Sequence, residues 1–508
     1  MRKNLAKNII KRLSAFLAGA VILGCSTLTA QAEEKYTYCY DYWGEVQDSP
    51  DAYEVVGVYT SADLGLDKPI STTATGLTVI GNDIYLCDTG NNRIIQLSRV
   101  DREDFEVVNI FDSFKGDVEV TTFNKPQDFQ INEDGNIFIA DTDNNRVLKL
   151  DSEWNYLMEF NKPTDNTLDE ALVFQPTKLA VDSAGRVYCI ATGINKGMIK
   201  YEADGTFSGF VGATPVVYNL WDYIWKRFFS TAAQREKQAS FVPTEYSNLY
   251  MDHDGFIYAC SSNLAEEDLK SGSAKAVRRL NLMGSDILIQ NGEFPVYGDI
   301  YMGSGGGYTG CSKIVDVTAF DNDSYVLLDK ERGRLFVYDS QGRMLFAFGG
   351  KGNMDGYFSK DQPISLDHMG YDLIALDSIS KTITVFTPTD YGKLVFQAMD
   401  QFDAGFYEES GETWQAVMDL NGNYDLAYIG VGRALLRQER YKEALEYFEL
   451  KFDDDNYSKA FKQYRKQWIE EHILVIFIVA FAVLIVPMII GRLGKIKREI
   501  DTADIFKF

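Results

Sequence analysis

At 508 residues, with 45% hydrophobic and 13% aromatic content, the chain is long enough for two or three units with sizeable cores. A formal charge of −24 excludes sequence-independent nucleic-acid binding, which needs clustered Lys and Arg to displace counterions. An exterior this acidic speaks first to solubility and only weakly to partners.

The chain opens on the three parts of a secretory signal. Arg2, Lys3, Lys7, Lys11 and Arg12 form a basic region, Leu13 to Gly24 an apolar stretch of 12 residues, and Ala30-Gln31-Ala32 places small residues at a cleavage site. Residues 1–32 are therefore predicted to be a signal peptide, the apolar run being short for a membrane span. Cys25, after Ile22-Leu23-Gly24, opens a lipid-attachment alternative, against which the bulky Leu23 counts. Five cysteines follow, Cys39, Cys87, Cys189, Cys260 and Cys311, an odd number without tight spacing. They are expected to be small apolar core residues instead of a disulfide framework or metal site.

Residues 82–97 read NDIYLCDTGNNRIIQL and residues 135–150 read GNIFIADTDNNRVLKL, with Asp141 falling 53 residues after Asp88. Degenerate copies start near Gly185, Gly255, Asn322 and Tyr371. Each has a turn, an alternating strand, a polar turn and a second alternating strand, and alternation such as Ile84, Leu86 and Ile94 buries one face of an antiparallel sheet. Six units of roughly 50 residues fit radial blades that close on themselves and so protect their edges.

The phrase Asp88, Asn91, Arg93, Ile94, repeated as Asp141, Asn144, Arg146, Val147, resembles the NHL repeat. The fifth unit keeps Asp329 and Arg334, the sixth keeps Asp377, and the third has Ala191 in the aspartate's place. The resemblance implies a six-bladed β-propeller over residues 50–395. Recurrence in several blades favours a structural role for these Asp, Asn and Arg residues over a binding ring: short Asx side chains satisfy turn backbone, and the arginine is expected to pair with neighbouring blades.

The repeat glycines are 50 residues apart from Gly135 to Gly185 but 70 apart from Gly185 to Gly255. In the extra chain Trp221, Ile224, Trp225, Phe228 and Phe229 fall at i, i+3, i+4, i+7 and i+8, which predicts an aromatic helix within residues 216–240. Three readings stay open for it: a lid packed on its own blade, a contact for a protein partner, or a membrane-interface element.

From residue 402 to 470 the period becomes helical. Gly432, Leu435, Ala444 and Phe448 occupy the small and aromatic places of a tetratricopeptide repeat, and Ser410 and Trp414 lie 34 residues before Ala444 and Phe448. The segment is thus read as tetratricopeptide-like. Ile473 to Ile490 is then an uncharged run of eighteen residues, predicting a transmembrane helix over 473–491 with Pro487 near its end. Glu470 and Glu471 precede it, while Arg492, Lys495, Lys497 and Arg498 follow. That asymmetry predicts a cytoplasmic tail over 492–508 and a propeller on the extracytoplasmic side of the cell membrane.

The expected fold is mainly β: a six-bladed β-propeller followed by a short α-helical (tetratricopeptide-like) segment and one transmembrane helix. This arrangement resembles extracytoplasmic NHL-repeat proteins of Gram-positive bacteria, some of which accompany carbohydrate ABC transporters. The resemblance implies a membrane-anchored recognition or scaffold protein, binding a protein partner such as a transporter component, or a glycan, and leaves open whether it is also an enzyme. With only His253, His368 and His472, a His-ligated catalytic zinc is not expected. No catalytic residues, metal ligands or cofactors are assigned. The alternative is a calcium-dependent lactonase-like hydrolase of the gluconolactonase type, which needs only oxygen ligands in the propeller channel.

Overall fold

The structure, a computed structural model, describes residues 36–102, 104–165, 168, 171–212, 246–304, 308–359 and 363–505. The predicted signal peptide, all of residues 216–240 and the last three residues lie outside them. The described chain starts with β1 (Tyr38–Tyr40), β2 (Val46–Asp48) and β3 (Tyr53–Tyr59). Six antiparallel sheets then form the blades. Blade 1 holds β4 (Gly76–Ile80), β5 (Asp83–Asp88), β6 (Arg93–Arg99) and β7 (Phe105–Phe111), and blade 2 holds β8 (Pro126–Ile131), β9 (Ile137–Asp141), β10 (Arg146–Leu150) and β11 (Tyr156–Phe160). Blade 3 holds β12 (Pro176–Val181), β13 (Val187–Ala191), β14 (Met198–Tyr201) and β15 (Phe207–Val211). Blade 4 shows three strands among the described residues, β16 (Asn248–Met251), β17 (Ile257–Cys260) and β18 (Val277–Leu280), with the short helix α1 (Glu266–Ser271) in its second connection.

Blade 5 holds β19 (Ile314–Ala319), β20 (Tyr325–Asp329), β21 (Arg334–Tyr338) and β22 (Met344–Gly349), and β1 and β2 extend it outward. Blade 6 holds β23 (Pro363–Met369), β24 (Asp372–Asp377) and β25 (Thr382–Pro388), and β3, from the start of the chain, is its fourth strand. The innermost strands β4, β8, β12, β16, β19 and β23 touch in that order, and β23 returns to β4, so the ring closes. Closure by an N-terminal strand ties the two ends of the propeller together and removes an open sheet edge. The predicted alternation is realised: Ile84, Leu86 and Ile94 are fully buried, as are Cys87, Cys189 and Cys260.

The chain then forms helices α2 (Asp390–Asp403), α3 (Tyr407–Leu420), α4 (Asp425–Arg437), α5 (Tyr441–Leu450) and α6 (Asp454–Ile505), each packed on the one before. Helix α2 begins earlier than the change of period at residue 402 suggested, because Thr389 caps it by accepting from the Gly392 N–H. Phe396 of α2 stacks on Tyr371 of the β23–β24 turn at 4.3 Å and meets Phe320 and Phe346, so the propeller and helical layer share one core. Small residues set the helix spacing. A Cβ at Gly430 would come within 2.6 Å of Trp414, and one at Gly432 within 2.7 Å of Phe448. Ser410, Trp414, Leu435, Ala444 and Phe448 are all buried at these contacts.

Helix α6 is 52 residues, about 78 Å at 1.5 Å per residue. Its first turns pack into the core through Ala460. No residue of the apolar stretch from Ile473 to Ile490 is buried, which makes it a candidate membrane span of about 27 Å.

Candidate functional site

The repeated phrase builds the same staple twice. Asp88 is fully buried; its Oδ2 accepts from Arg93 Nε at 2.7 Å and Asn91 Nδ2 at 2.8 Å, and its Oδ1 from the Ser71 N–H at 2.8 Å. In blade 2 Asp141 takes Arg146 Nε at 3.0 Å, Asn144 Nδ2 at 2.8 Å and the Asn124 N–H at 2.8 Å. The arginines then donate to loop carbonyls of Lys68 and Val120. These arginines therefore pair within their own blade and its incoming loop, and not with neighbouring blades as the repeat suggested. The blade-to-blade stitch comes from the next residue: Thr89 Oγ1 donates to Pro126 O at 2.8 Å and Thr142 Oγ1 to Pro176 O at 2.7 Å. The worn copies differ. Asp329 caps the Lys313 and Glu331 amides, with Arg332 alongside at 3.6 Å, while Arg334 turns to Asp299 and Tyr38. Asp377 takes the Ser359, Ile379 and Ser380 amides.

The innermost strands surround a channel with a cavity of about 390 Å³. At equivalent positions stand Asp128, Lys178, Asn248, Asp316 and Ser365, and register shifts at four of the strands aim their side chains inward. The inner edge of each blade carries backbone N–H groups without a strand partner, and the acids serve them. Asp128 accepts from the Leu179 N–H at 2.7 Å, and Asp367 from the Val79 N–H at 2.7 Å. Asp316 accepts from the Leu366 and Val317 N–H groups, each at 2.7 Å, and also from Ser365 and Asn248. Lys178 donates across the channel to Thr75 O at 3.2 Å. Burial pushes the Asp128 carboxyl up and the Asp316 carboxyl up to about 6, with the Lys178 ammonium opposing both shifts. His368 Nδ1 lies 2.6 Å from Thr318 Oγ1.

A larger cleft, about 930 Å³, lies where blade 5 and its neighbouring loops meet α4 and the root of α6. Tyr42, Phe294 and Phe452 line it, together with Arg343 from the β21–β22 turn and Arg433 from α4. Tyr42, Trp43 and Phe452 form a cluster with ring centroids 5.0–5.9 Å apart. Phe452 holds φ at +57°, a left-handed conformation costly for a bulky residue. Asp425 draws the two parts together, accepting from the Tyr42 N–H at 3.2 Å and pairing with Lys451 at 2.6 Å.

A group of His253, Asp254 and Asp323 has the spacing of a cation site, but Arg279 sits among them, 3.3 Å from Asp254 and 2.8 Å from Asp323. The guanidinium supplies the positive charge there. The cysteine thiols are pushed up by burial, Cys260 to about 12, which leaves no reactive thiolate at those strands.

The predicted aromatic face of Trp221, Ile224, Trp225, Phe228 and Phe229 lies outside the described residues. Neither the channel positions nor the cleft were singled out from sequence. A signal for the channel existed, since Asp128 and Asp316 stand thirteen residues before Asp141 and Asp329. The cleft had none, because its walls are 250 to 400 residues apart in places and share no motif.

The model of the NHL repeat matches residues 123–150, the stretch carrying the second faithful copy. No curated protein matches the chain. Among solved structures, virginiamycin B lyase from Staphylococcus aureus is similar at 11% identity over 66% of this chain and 99% of that one, with a TM-score of 0.36. A streptogramin B lyase is similar at 11% identity over 67% of this chain and 100% of that one, with a TM-score of 0.38. Likenesses at this level say nothing about chemistry in this chain.

Proposed function

We propose that the protein is a membrane-anchored, extracytoplasmic recognition protein whose binding site is the cleft between blade 5 and the helical layer. The observation that carries this reading is the shared core: propeller and helices pack as one body, and the cleft between them ends at the root of α6. From Gln463, at the cleft, to Ile473 is ten residues, so the site would stand about 15 Å above the span. That height suits contact with another membrane component, such as a transporter subunit, or with a glycan. On this reading the helical layer is a tetratricopeptide-like spacer, and the aromatic face around Trp221 and Trp225 a second contact.

The channel supports the hydrolase alternative poorly. A calcium ion needs six to eight oxygen ligands with free lone pairs. Here Asp128, Asp316 and Asp367 already accept backbone N–H groups, and Lys178 lies among the acids as a fixed cation. These residues do not fit calcium, and we infer that the channel acids are architectural.

The test is recovery of a partner with full-length protein extracted from its own membrane in mild detergent. Gln463→Trp, on the exposed wall of the cleft, should abolish recovery of a stoichiometric membrane partner, whereas Lys178→Met should not. Undiminished recovery with the first, or loss with the second alone, would move the site to the channel. Calcium-dependent lactone hydrolysis by the purified protein would restore the hydrolase reading.

A further inference from the structure

The cleft has an uneven charge layout. Arg433 projects from α4 beside Arg343, and among the described residues its guanidinium has no carboxylate at ion-pair distance and no hydrogen-bond acceptor. The Phe402 ring lies against it, with the centroid 4.5 Å away, and Asp339 and Asp403 line the same small cavity. Arg343 does have a partner, since its Nε donates to Asp339 at 3.0 Å. Burial and the neighbouring Arg343 both lower the Arg433 pKa, against a pull from Asp339, Asp403 and Asp453 at longer range. A desolvated guanidinium beside a second one, in the wall of an open cavity, suits a carboxylate that can approach both.

Acids line the cleft too, together with Lys451 and Lys459, and Asp453 acts on both Arg433 and Glu293. Glu293, from the long β18–β19 connection, faces Asp453, Asp454 and Asp455 at the α5–α6 turn, and burial together with these three acids raises its carboxyl. Aromatic rings of Tyr42, Phe294 and Phe452 line the same cleft. At about 930 Å³ it lies at the upper end of the range for ligand pockets.

We propose that this cleft binds a short zwitterionic peptide, its carboxylate taken by Arg433 and Arg343 and its ammonium by Glu293 with Asp453, Asp454 and Asp455. The proposal rests on the cleft being the recognition site and adds the ligand's chemistry to that reading. A polyanionic glycan would repeat its charge into the acidic side, and a neutral one would leave the Arg433 guanidinium unpaired. A zwitterionic lipid headgroup has the right charges, but the cleft stands about 15 Å from the apolar stretch of α6.

The experiment is calorimetric titration of full-length protein in detergent with the tripeptide Lys-Ala-Phe, its C-terminal amide, a diuronate disaccharide and short-chain phosphatidylethanolamine. Saturable binding of the free peptide is expected, weakened at least tenfold by amidation. Arg433→Gln should weaken the free acid tenfold or more and the amide little, and Arg433→Lys should restore part of the loss. An unchanged thermal midpoint shows that these variants are folded. Equal affinity for acid and amide, an unaffected Arg433→Gln, no saturable binding of the peptide, or preferential binding of the disaccharide or the phospholipid would each overturn the peptide assignment. Partner recovery sensitive to Gln463→Trp would meanwhile keep the cleft as the recognition site, so the two failures are distinguishable.

Discussion

Changing Asp88 to Ala separates an architectural role for the repeated phrase from a binding role. The carboxylate has no exposed surface and holds Arg93, Asn91 and the Ser71 amide at 2.7–2.8 Å. Its removal leaves the Arg93 guanidinium, itself 8% exposed, with only the Lys68 carbonyl, and leaves the Ser71 N–H without its acceptor. Breaking a buried pair from one side costs about 3–5 kcal/mol. At an unfolding entropy of about 2.1 cal/mol/K per residue over roughly 350 residues, a loss of about 4 kcal/mol lowers the thermal midpoint by about 5 °C. The double variant Asp88→Ala with Arg93→Met removes both charges, and its cost should fall below about 2 kcal/mol, since the dominant penalty is the stranded cation. The assay is tryptophan fluorescence on heating full-length protein in detergent, single and double variants side by side. If the double variant melts no higher than Asp88→Ala, the stranded-charge reasoning is wrong. If Asp88→Ala melts with the parent yet loses its partner, the phrase is a binding ring after all.

Three further outcomes test other parts of the structure. Asp316 has a folded-state pKa of about 6 against an ordinary 3.8, so the native state holds the proton more tightly than the unfolded chain. The stability from that proton is present below about pH 4 and lost as pH rises through 6. The midpoint difference between the parent and Asp316→Asn should therefore shift against the parent between pH 4 and 6.5, and a difference flat with pH refutes the assignment. Gly430→Ala and Gly432→Ala should each destabilise the helical layer by about 1–3 kcal/mol through overpacking against Trp414 and Phe448, despite alanine's better helix propensity, as read by limited proteolysis after the propeller. Finally, Phe452→Gly should be more stable than Phe452→Ala by about 1 kcal/mol, because both lose the contact with Tyr42 and Trp43 but only glycine relaxes the left-handed backbone; equal midpoints in chemical denaturation would count against strain there.

What could be read from sequence followed the range of the interactions. Strand alternation and the phrase at Asp88 and Asp141 are local, so six blades were countable even where the third copy had lost its aspartate to Ala191. The small residues at Gly432 and Ala444 likewise announce helix contacts within some 35 residues. The partner of Arg93 was misassigned because an i, i+5 pair across a tight turn looks the same in sequence as one reaching the next blade. The structure shows the turn held by a one-turn helix, Thr89–Asn91, with Asn92 in the left-handed conformation, which folds Arg93 back onto Asp88. The threonine between them does the reaching instead.

Which strand closes the ring, and the existence of the cleft, were not legible at all, for one reason. Both depend on segments before the first blade, where β1 and β2 are three residues each and no strand carries the repeat. β3 closes blade 6, β1 extends blade 5, and Tyr42 and Asp41, between β1 and β2, form part of the cleft wall facing α4. The N-terminal segment thus takes part in holding the propeller shut and in shaping the proposed site. Loosening it should act on both together: Tyr38→Ala, which removes a fully buried ring and its contact with Arg334, is expected to lower the midpoint and weaken peptide binding in parallel. A variant that lost stability while keeping full affinity would show that the cleft is shaped by the helices alone, and that the strap is only a clasp.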